Sequence, residues 1–334
     1  MAAEFEHVVE DGEKGMRLDV LLATLPGFNS RSAAAKAVEN GEVYVNGGVA
    51  TKRYSVRAGD LIDYTIADDD PFELEAYDFG LDIRYEDEGM IVLSKPAGLV
   101  CHPSPGHFGD TLVNALIAHC GKDHLANLQG EDRLGIVHRL DMDTSGLMLA
   151  AKEQECGLLL QDGLRTRNID RRYLSLVHGY IAKDTGYIDA PIGRHPKNRL
   201  KRTISDDASA RSAVTTFTVL ERFEAGRFDD GFTLIECKLF SGRTHQIRVH
   251  MDYTGHNVVG DKMYGRGDDR MNLGLARQFL HSYRLMFEHP MTGEPMSFTD
   301  TLPADLADVL AGIEDRSMGR TAYGDEMREL MQHG

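Results

Sequence analysis

Cysteine is sparse. Cys101, Cys120, Cys156 and Cys237 lie far apart in the 334 residues and form no Cys-x-x-Cys pair. This spacing argues against a zinc cluster or a disulfide framework and leaves free thiols as the expectation. No run of residues approaches the roughly 18 to 20 apolar positions that a bilayer-spanning helix needs, so no membrane insertion is expected. Met1 to Gly15 is acidic and lacks the basic start and apolar run of a secretory signal, which makes the cytoplasm the expected compartment. No Gly-x-Gly-x-x-Gly follows a first strand, so a nucleotide cofactor is not expected either. Internal repeats and low-complexity tracts are also missing.

Positive charge is short overall, with a formal net charge of -16, but the deficit is localised. Ala67 to Glu88 carries ten acids against Arg84 alone, and Asp300 to Gly334 carries eight acids against three arginines, so these segments hold -14 of the total. The remainder is close to neutral and contains two cationic runs. Arg194, Lys197, Arg199, Lys201 and Arg202 occur without an acid among them, and Arg165 to Arg172 holds four arginines with one acid. Such runs are ordinary solvated faces or footprints for a polyanion.

A hydrophobic content of 42% suffices for a sizeable core, and the length allows two domains. Leu18, Leu21, Leu22 and Leu25 follow helical spacing until Pro26-Gly27 stops them. Ser30 as N-cap, Arg31 to Glu39 as body and Asn40-Gly41 as stop predict a second helix. Val43 and Val45 alternate with polar neighbours up to the turn Asn46-Gly47, and Leu61 to Ile66 alternates again. The charged stretch 67–82 reads as a linker, with 1–15 and 316–334 as tails. Beyond residue 83, strands are predicted at Ile91 to Leu93, Tyr173 to Val177, Val214 to Leu220, Phe232 to Leu239, Ile247 to Val249 and Arg284 to Phe287. Helices are predicted near Thr111 to His119, Glu153 to Thr166 and Ala304 to Ile313. Many strands with irregularly placed helices predict an α+β domain over 83–315 with a mainly antiparallel sheet.

Gly135 to Gly146 reads Gly-Ile-Val-His-Arg-Leu-Asp-Met-Asp-Thr-Ser-Gly and sets Asp141 between apolar runs, where packing requires no carboxylate. Its His-Arg-Leu-Asp followed by Thr-Ser-Gly resembles the signature of the RluA family of RNA pseudouridine synthases. Gly242-Arg-Thr-His-Gln-Ile-Arg-Val-His250 resembles that family's other long motif, and Lys95-Pro-Ala-Gly-Leu99, Leu280-His281 and His289-Pro290 extend the likeness. The two helices and hairpin over 16–66 resemble an S4 RNA-binding domain, and the arrangement as a whole resembles the RluD type, which acts on large-subunit ribosomal RNA.

The resemblance implies isomerisation of uridine with Asp141 as the catalytic carboxylate, attacking C1′ or removing the C2′ proton. It implies that Arg243 pairs with Asp141, that Tyr173 stacks on the flipped base, and that Arg139 enters the RNA stack where the base leaves. Arg31, Lys36, Lys52 and Arg53 of the S4-like segment would face phosphates, as would Arg194, Lys197, Arg199, Lys201 and Arg202. The expected partner is RNA, with no cofactor, no metal and a monomeric protein. His138, His245 and His250 lack the spacing of a catalytic zinc site and are expected to be structural. Two rivals remain at this point: a glycosidase or nucleosidase using Asp141 with Asp143, and an assembly factor that binds RNA without modifying it.

Overall fold

A computed structural model describes residues 3–28, 31–51, 53–66, 74–104, 106–198, 200–265 and 268–332. It divides into two compact units, residues 1–73 and 74–334.

The first unit contains β1 (Ala3–Val8), α1 (Leu18–Leu22), α2 (Arg31–Glu39), β2 (Val43–Val45), β3 (Gly48–Val49) and β4 (Leu61–Ile66). The strands form one sheet in the order β1-β4-β2-β3. Asn46 and Gly47 join β2 to β3 with φ of 52° and 73°, the paired left-handed conformation that a two-residue hairpin favours. Leu18, Leu21 and Leu22 of α1 and Ala34, Ala37 and Val38 of α2 pack on Val43, Ile62 and Tyr64. The expected tail 1–15 is instead partly a strand: β1 pairs antiparallel with all of β4, and Phe5 stacks on Tyr64 with ring centroids 5.3 Å apart. The predicted cap Ser30 lies outside the described residues.

The second unit is built on a ten-stranded sheet. Its strands are β5 (Asp82–Glu86), β6 (Met90–Lys95), β7 (Ser145–Ala151), β8 (Asp170–His178), β9 (Thr185–Asp189), β12 (Val214–Phe223), β13 (Phe232–Leu239), β14 (Leu280–Glu288), β15 (Pro295–Thr299) and β16 (Ser317–Arg320). A separate ribbon pairs β10 (Ile192–Arg194) with β11 (Arg202–Ile204). The main order is β16-β12-β13-β8-β14-β7-β6-β5, with β9 on β12 and β15 on β14. All pairs are antiparallel except β7 with β14. Helices α3 (Leu112–Cys120), α4 (Gln154–Thr166), α5 (Gln246–Tyr253), α6 (Ala304–Gly312) and α7 (Ala322–Gln332) complete the unit.

The central strands are covered on both faces. Ile91 and Leu93 of β6 and Met148 and Ala150 of β7 pack with Leu112, Val113 and Leu116 of α3. Met90, Val92, Leu147 and Leu149 point the other way, toward Cys156 and Leu160 of α4. Every residue of β7 is therefore buried, and from Gly146 to Ala151 its sequence is an unbroken apolar run rather than an alternation.

Three sequence expectations are corrected here. Ile247 to Val249 belongs to helix α5, whose residues from Gln246 to Met251 are all buried, so no polar face marks the helical period. Residues 316–332 of the expected tail are folded: β16 pairs with β12, Met327 is buried, and the Tyr323 hydroxyl donates to Glu236 at 2.9 Å. The end of the expected linker is also packed, since Leu74 joins the core and Asn114 donates to the Glu75 carbonyl at 2.8 Å.

Candidate active site

Asp141 lies in the loop that enters β7, and this loop is fastened from several sides. The Lys95 ammonium, fully buried at the end of β6, donates to the carbonyls of Pro96 at 2.7 Å, Leu99 at 2.9 Å and Met142 at 2.9 Å. Burial pulls its pKa down to about 8, with Asp141 and Asp143 among the groups that oppose the shift. Arg277 donates to the Asp143 carbonyl at 3.1 Å, and Gln278 to the Thr144 hydroxyl at 3.1 Å. Gly146 explains the end of the motif. Its φ is +110°, and a Cβ there would stand 2.2 Å from the Ser282 carbonyl oxygen, so only glycine lets β7 and β14 approach as parallel neighbours.

The partner of Asp141 is Arg248, on the first turns of α5. Arg248 Nη1 donates to Asp141 Oδ2 at 3.0 Å, while Nε and Nη2 grip Asp261 at 2.6 and 2.9 Å. Asp261 has no exposed side-chain surface and also accepts from the Met263 and Tyr264 amides. One guanidinium thus bridges a buried structural carboxylate and the carboxylate at the cleft, and its planar fork suits that task.

His245 closes the other side. It is the N-cap of α5 in left-handed conformation, φ 59°, and its Nε2 stands 4.0 Å from Asp141 Oδ1. The Tyr264 hydroxyl accepts from the Arg202 amide at 2.7 Å and meets His245 Nδ1 at 2.9 Å. With its proton donated to Nδ1, the neutral ring carries hydrogen on Nε2, the atom facing Asp141. Burial lowers the His245 pKa, against the pull of Asp141.

The surrounding cleft, about 510 Å³, is lined by Arg139, Arg202, Arg248, Lys262 and Arg277 against the acids Asp141 and Asp143. The chain's overall acidity is therefore reversed where a polyanion would approach.

The expected pairing of Arg243 with Asp141 is corrected. Arg243 Nε donates to the Ser212 carbonyl at 3.0 Å, and its side chain lines neighbouring concavities with Arg211 and Arg171. The left-handed turn at His245 separates the two arginines, so that Arg248, one turn into the helix, reaches Asp141. Tyr173 is buried in β8, only 3% exposed, and does not line the cleft; burial raises its pKa. Arg139 is exposed on the cleft rim.

Arg202 lines the cleft, Lys201 lies over the Tyr264 ring at 5.6 Å, and Arg194 and Lys197 are exposed on or beside the β10–β11 ribbon. Arg199 and Lys52 lie outside the described residues. In the first unit Lys36 and Arg53 are exposed, whereas Arg31 shares the buried Asp19 with Arg17. His250 bonds Thr215 and the Ala190 carbonyl, as a structural histidine does. Glu86, His119 and Cys120 form a group with metal-ligand donors, but none of them lines the cleft, and the Glu86 carboxylate already bonds His119 and Lys152.

Arg248, Asp261, Tyr264 and Lys95 escaped the sequence reading as members of the site. Lys95 and Arg248 stand within the recognised motifs, so their positions were visible although their contacts were not.

The fold and cleft define an α+β enzyme with an appended nucleic-acid-binding domain. The sequence model described as RNA pseudouridylate synthase matches residues 89–253, and that of the S4 domain matches residues 16–62. An uncharacterized RNA pseudouridine synthase of Bacillus subtilis is 41% identical over 310 residues, covering 93% of this chain and 98% of that protein. Ribosomal large subunit pseudouridine synthase D of Xanthomonas campestris is 38% identical over 320 residues, 93% of this chain and 92% of that one. Among solved structures, human RNA pseudouridylate synthase domain containing 1 shares the fold, with TM-score 0.57 and 23% identity over 76% of this chain and 96% of its own. The chain belongs to the RNA pseudouridine synthases, isomerases that convert uridine in RNA to pseudouridine.

Proposed function

We propose that the protein isomerises specific uridines of large-subunit ribosomal RNA, with Asp141 as the carboxylate that acts at the sugar. The observation that carries this reading is the Asp141–Arg248–Asp261 arrangement at the floor of a cation-lined cleft. The choice of RNA follows the relatives named for the ribosomal large subunit.

The reaction breaks the bond from C1′ to uracil N1 and joins C1′ to C5; the C5 proton is lost and N1 gains one, with no net redox change. Asp141 attacks C1′ as a nucleophile or takes the C2′ proton to give a glycal, and Arg248 fixes its orientation and supplies the counter-charge. In this reading Arg248 takes the role expected of Arg243. Tyr173 backs the pocket of the detached base, and Arg139 enters the stack that the base leaves. Lys36, Lys52, Arg53 and Arg31 contact phosphates from the S4 domain; Arg194, Lys197, Arg199, Lys201 and Arg202 contact them from the catalytic domain. The enzyme works as a monomer in the cytoplasm.

Mapping pseudouridine in ribosomal RNA from cells with and without the gene tests the reading. Loss of particular large-subunit sites, restored by the wild-type gene and not by Asp141→Asn, is expected. An unchanged large-subunit map would overturn it.

A further inference from the structure

Next to the Asp141 cleft, and sharing Arg139 with it, lies a second concavity of about 390 Å³ that the chemistry above does not use. His138, Arg139, Arg165, Arg167, Arg171 and Arg243 supply its polar wall, and no carboxylate lines it. Arg165 is paired with Asp162, but Arg139, Arg167, Arg171 and Arg243 make no ion pair among the described residues.

Two of its donors are buried and unused. Arg171 is 5% exposed, and its Nε has no hydrogen-bond partner; His138 Nδ1 is equally enclosed and equally without one. The Leu149 amide donates to His138 Nε2 at 3.0 Å, so the ring proton sits on Nδ1. Burial, helped by Arg171, drives the His138 pKa down to about 3, which keeps that tautomer neutral at ordinary pH.

The wall is also shaped around its guanidinium groups. A Cβ at Gly242 would come 3.2 Å from Arg171 Nη1, so glycine leaves room for that group. Arg167 holds the left-handed C-cap of α4, φ 70°, with its guanidinium 5.6 Å from the Phe240 ring centroid. Like charges and unsatisfied donors gathered in a recess are costly unless an anion joins them. Guanidinium forks with an N–H donor between them suit the oxygens of a phosphate.

We propose that this concavity is a phosphate-binding subsite that grips one backbone phosphodiester of the RNA strand beside the target nucleotide, with Arg139 standing between subsite and catalytic cleft. The proposal rests on the RNA reading above and adds a fixed point on the strand from which the target uridine is presented to Asp141.

The test is a methylphosphonate scan. RNA oligonucleotides containing the target uridine carry one neutral linkage each, and their affinities are measured for full-length wild type, Arg171→Met and Arg167→Asn. Arg167 is exposed and asparagine tolerates its positive φ, so this variant keeps the test alive if Arg171→Met fails to fold. One linkage near the target should cost wild type roughly 10- to 150-fold in affinity, the range for charged hydrogen bonds, and cost the variants little beyond their own loss. Inorganic pyrophosphate should compete with RNA in wild type and less in the variants. Losses that simply add at every linkage overturn the subsite and leave the RNA reading intact; that result together with retained pyrophosphate competition would make it a small-anion site instead. A wild-type protein without RNA affinity overturns both.

Discussion

Lysine and methionine at position 248 separate the two duties of the arginine that joins Asp141 to Asp261. The Arg248 side chain is 7% exposed and that of Asp261 is 0% exposed. Arg248→Met leaves Asp261 buried without a counter-charge, a loss of about 3–5 kcal/mol. In a domain of this size each kcal/mol moves Tm by roughly 2–4 °C, so the transition should fall by about 6–20 °C. Arg248→Lys retains the charge, but an ammonium cannot span both carboxylates; it should stay with the fully buried Asp261 and release Asp141. Losing one charged hydrogen bond, about 1.5–3 kcal/mol, predicts kcat lower by roughly 10- to 150-fold with a much smaller change in Tm. Arg243→Lys should instead raise KM and leave kcat near wild type. Tritium release from RNA labelled at uracil C5, under single-turnover conditions, measures the chemistry, and thermal melts measure the stability. Wild-type kcat in Arg248→Lys, or an equal loss of kcat in Arg243→Lys, would refute the assignment of Arg248.

The Lys95 ammonium satisfies three carbonyls, whereas its neutral amine can satisfy two, so single-turnover activity should decline through pH of about 8 as the Met142 carbonyl is released; the same inflection in Lys95→Met would contradict this. Because its folded pKa lies below the unfolded value of 10.5, the unfolded chain alone holds the proton between those pH values, and this group's contribution to stability rises with pH across that window. His138, with a folded pKa of about 3, stays neutral while the unfolded chain protonates below pH 6.5, so stability should fall by up to about 1.4 kcal/mol per pH unit from 6.5 downward. Melts of His138→Asn should show a shallower decline than wild type between pH 6.5 and 4.5, and parallel curves would count against the buried neutral ring. Gly146→Ala puts a methyl group against the Ser282 carbonyl at positive φ and should cost about 3 kcal/mol or more; a variant melting within 2–4 °C of wild type, roughly a 1 kcal/mol change, would show that the close approach of β7 and β14 is not rigid.

Local signals in the first unit carried well. The bodies of α2 and β4 follow helical spacing and strict alternation, and Asn46-Gly47 is a turn dipeptide whose backbone preference fixes the hairpin. β13 was legible over Phe232 to Leu239 although its first six residues are all buried, because Thr233, Glu236 and Lys238 interrupt the apolar positions. What failed was pattern without a solvent side. α5 is enclosed on nearly every face, so Ile247 and Val249 read as a strand, and β7 is buried on both faces of the sheet. β1 did alternate, with Phe5 on the side facing Tyr64, but its acidic residues suggested a tail. Asp141 was visible because a carboxylate between apolar runs has no packing role. Its partner was not: choosing between Arg243 and Arg248 depends on the left-handed residue His245 and on the long-range contact with Asp261, neither of which a local spacing reveals.

Purified Asp141→Asn, prepared free of endogenous enzyme and assayed for pseudouridine formation in the proposed ribosomal RNA substrate, tests the central claim most directly. The substitution keeps the size of the side chain and removes the charge that either route at the sugar requires. Pseudouridine formation should be abolished while thermal stability and RNA affinity stay within a few-fold of the parent. Turnover at a rate comparable to wild type would contradict the assignment of Asp141 as the catalytic carboxylate.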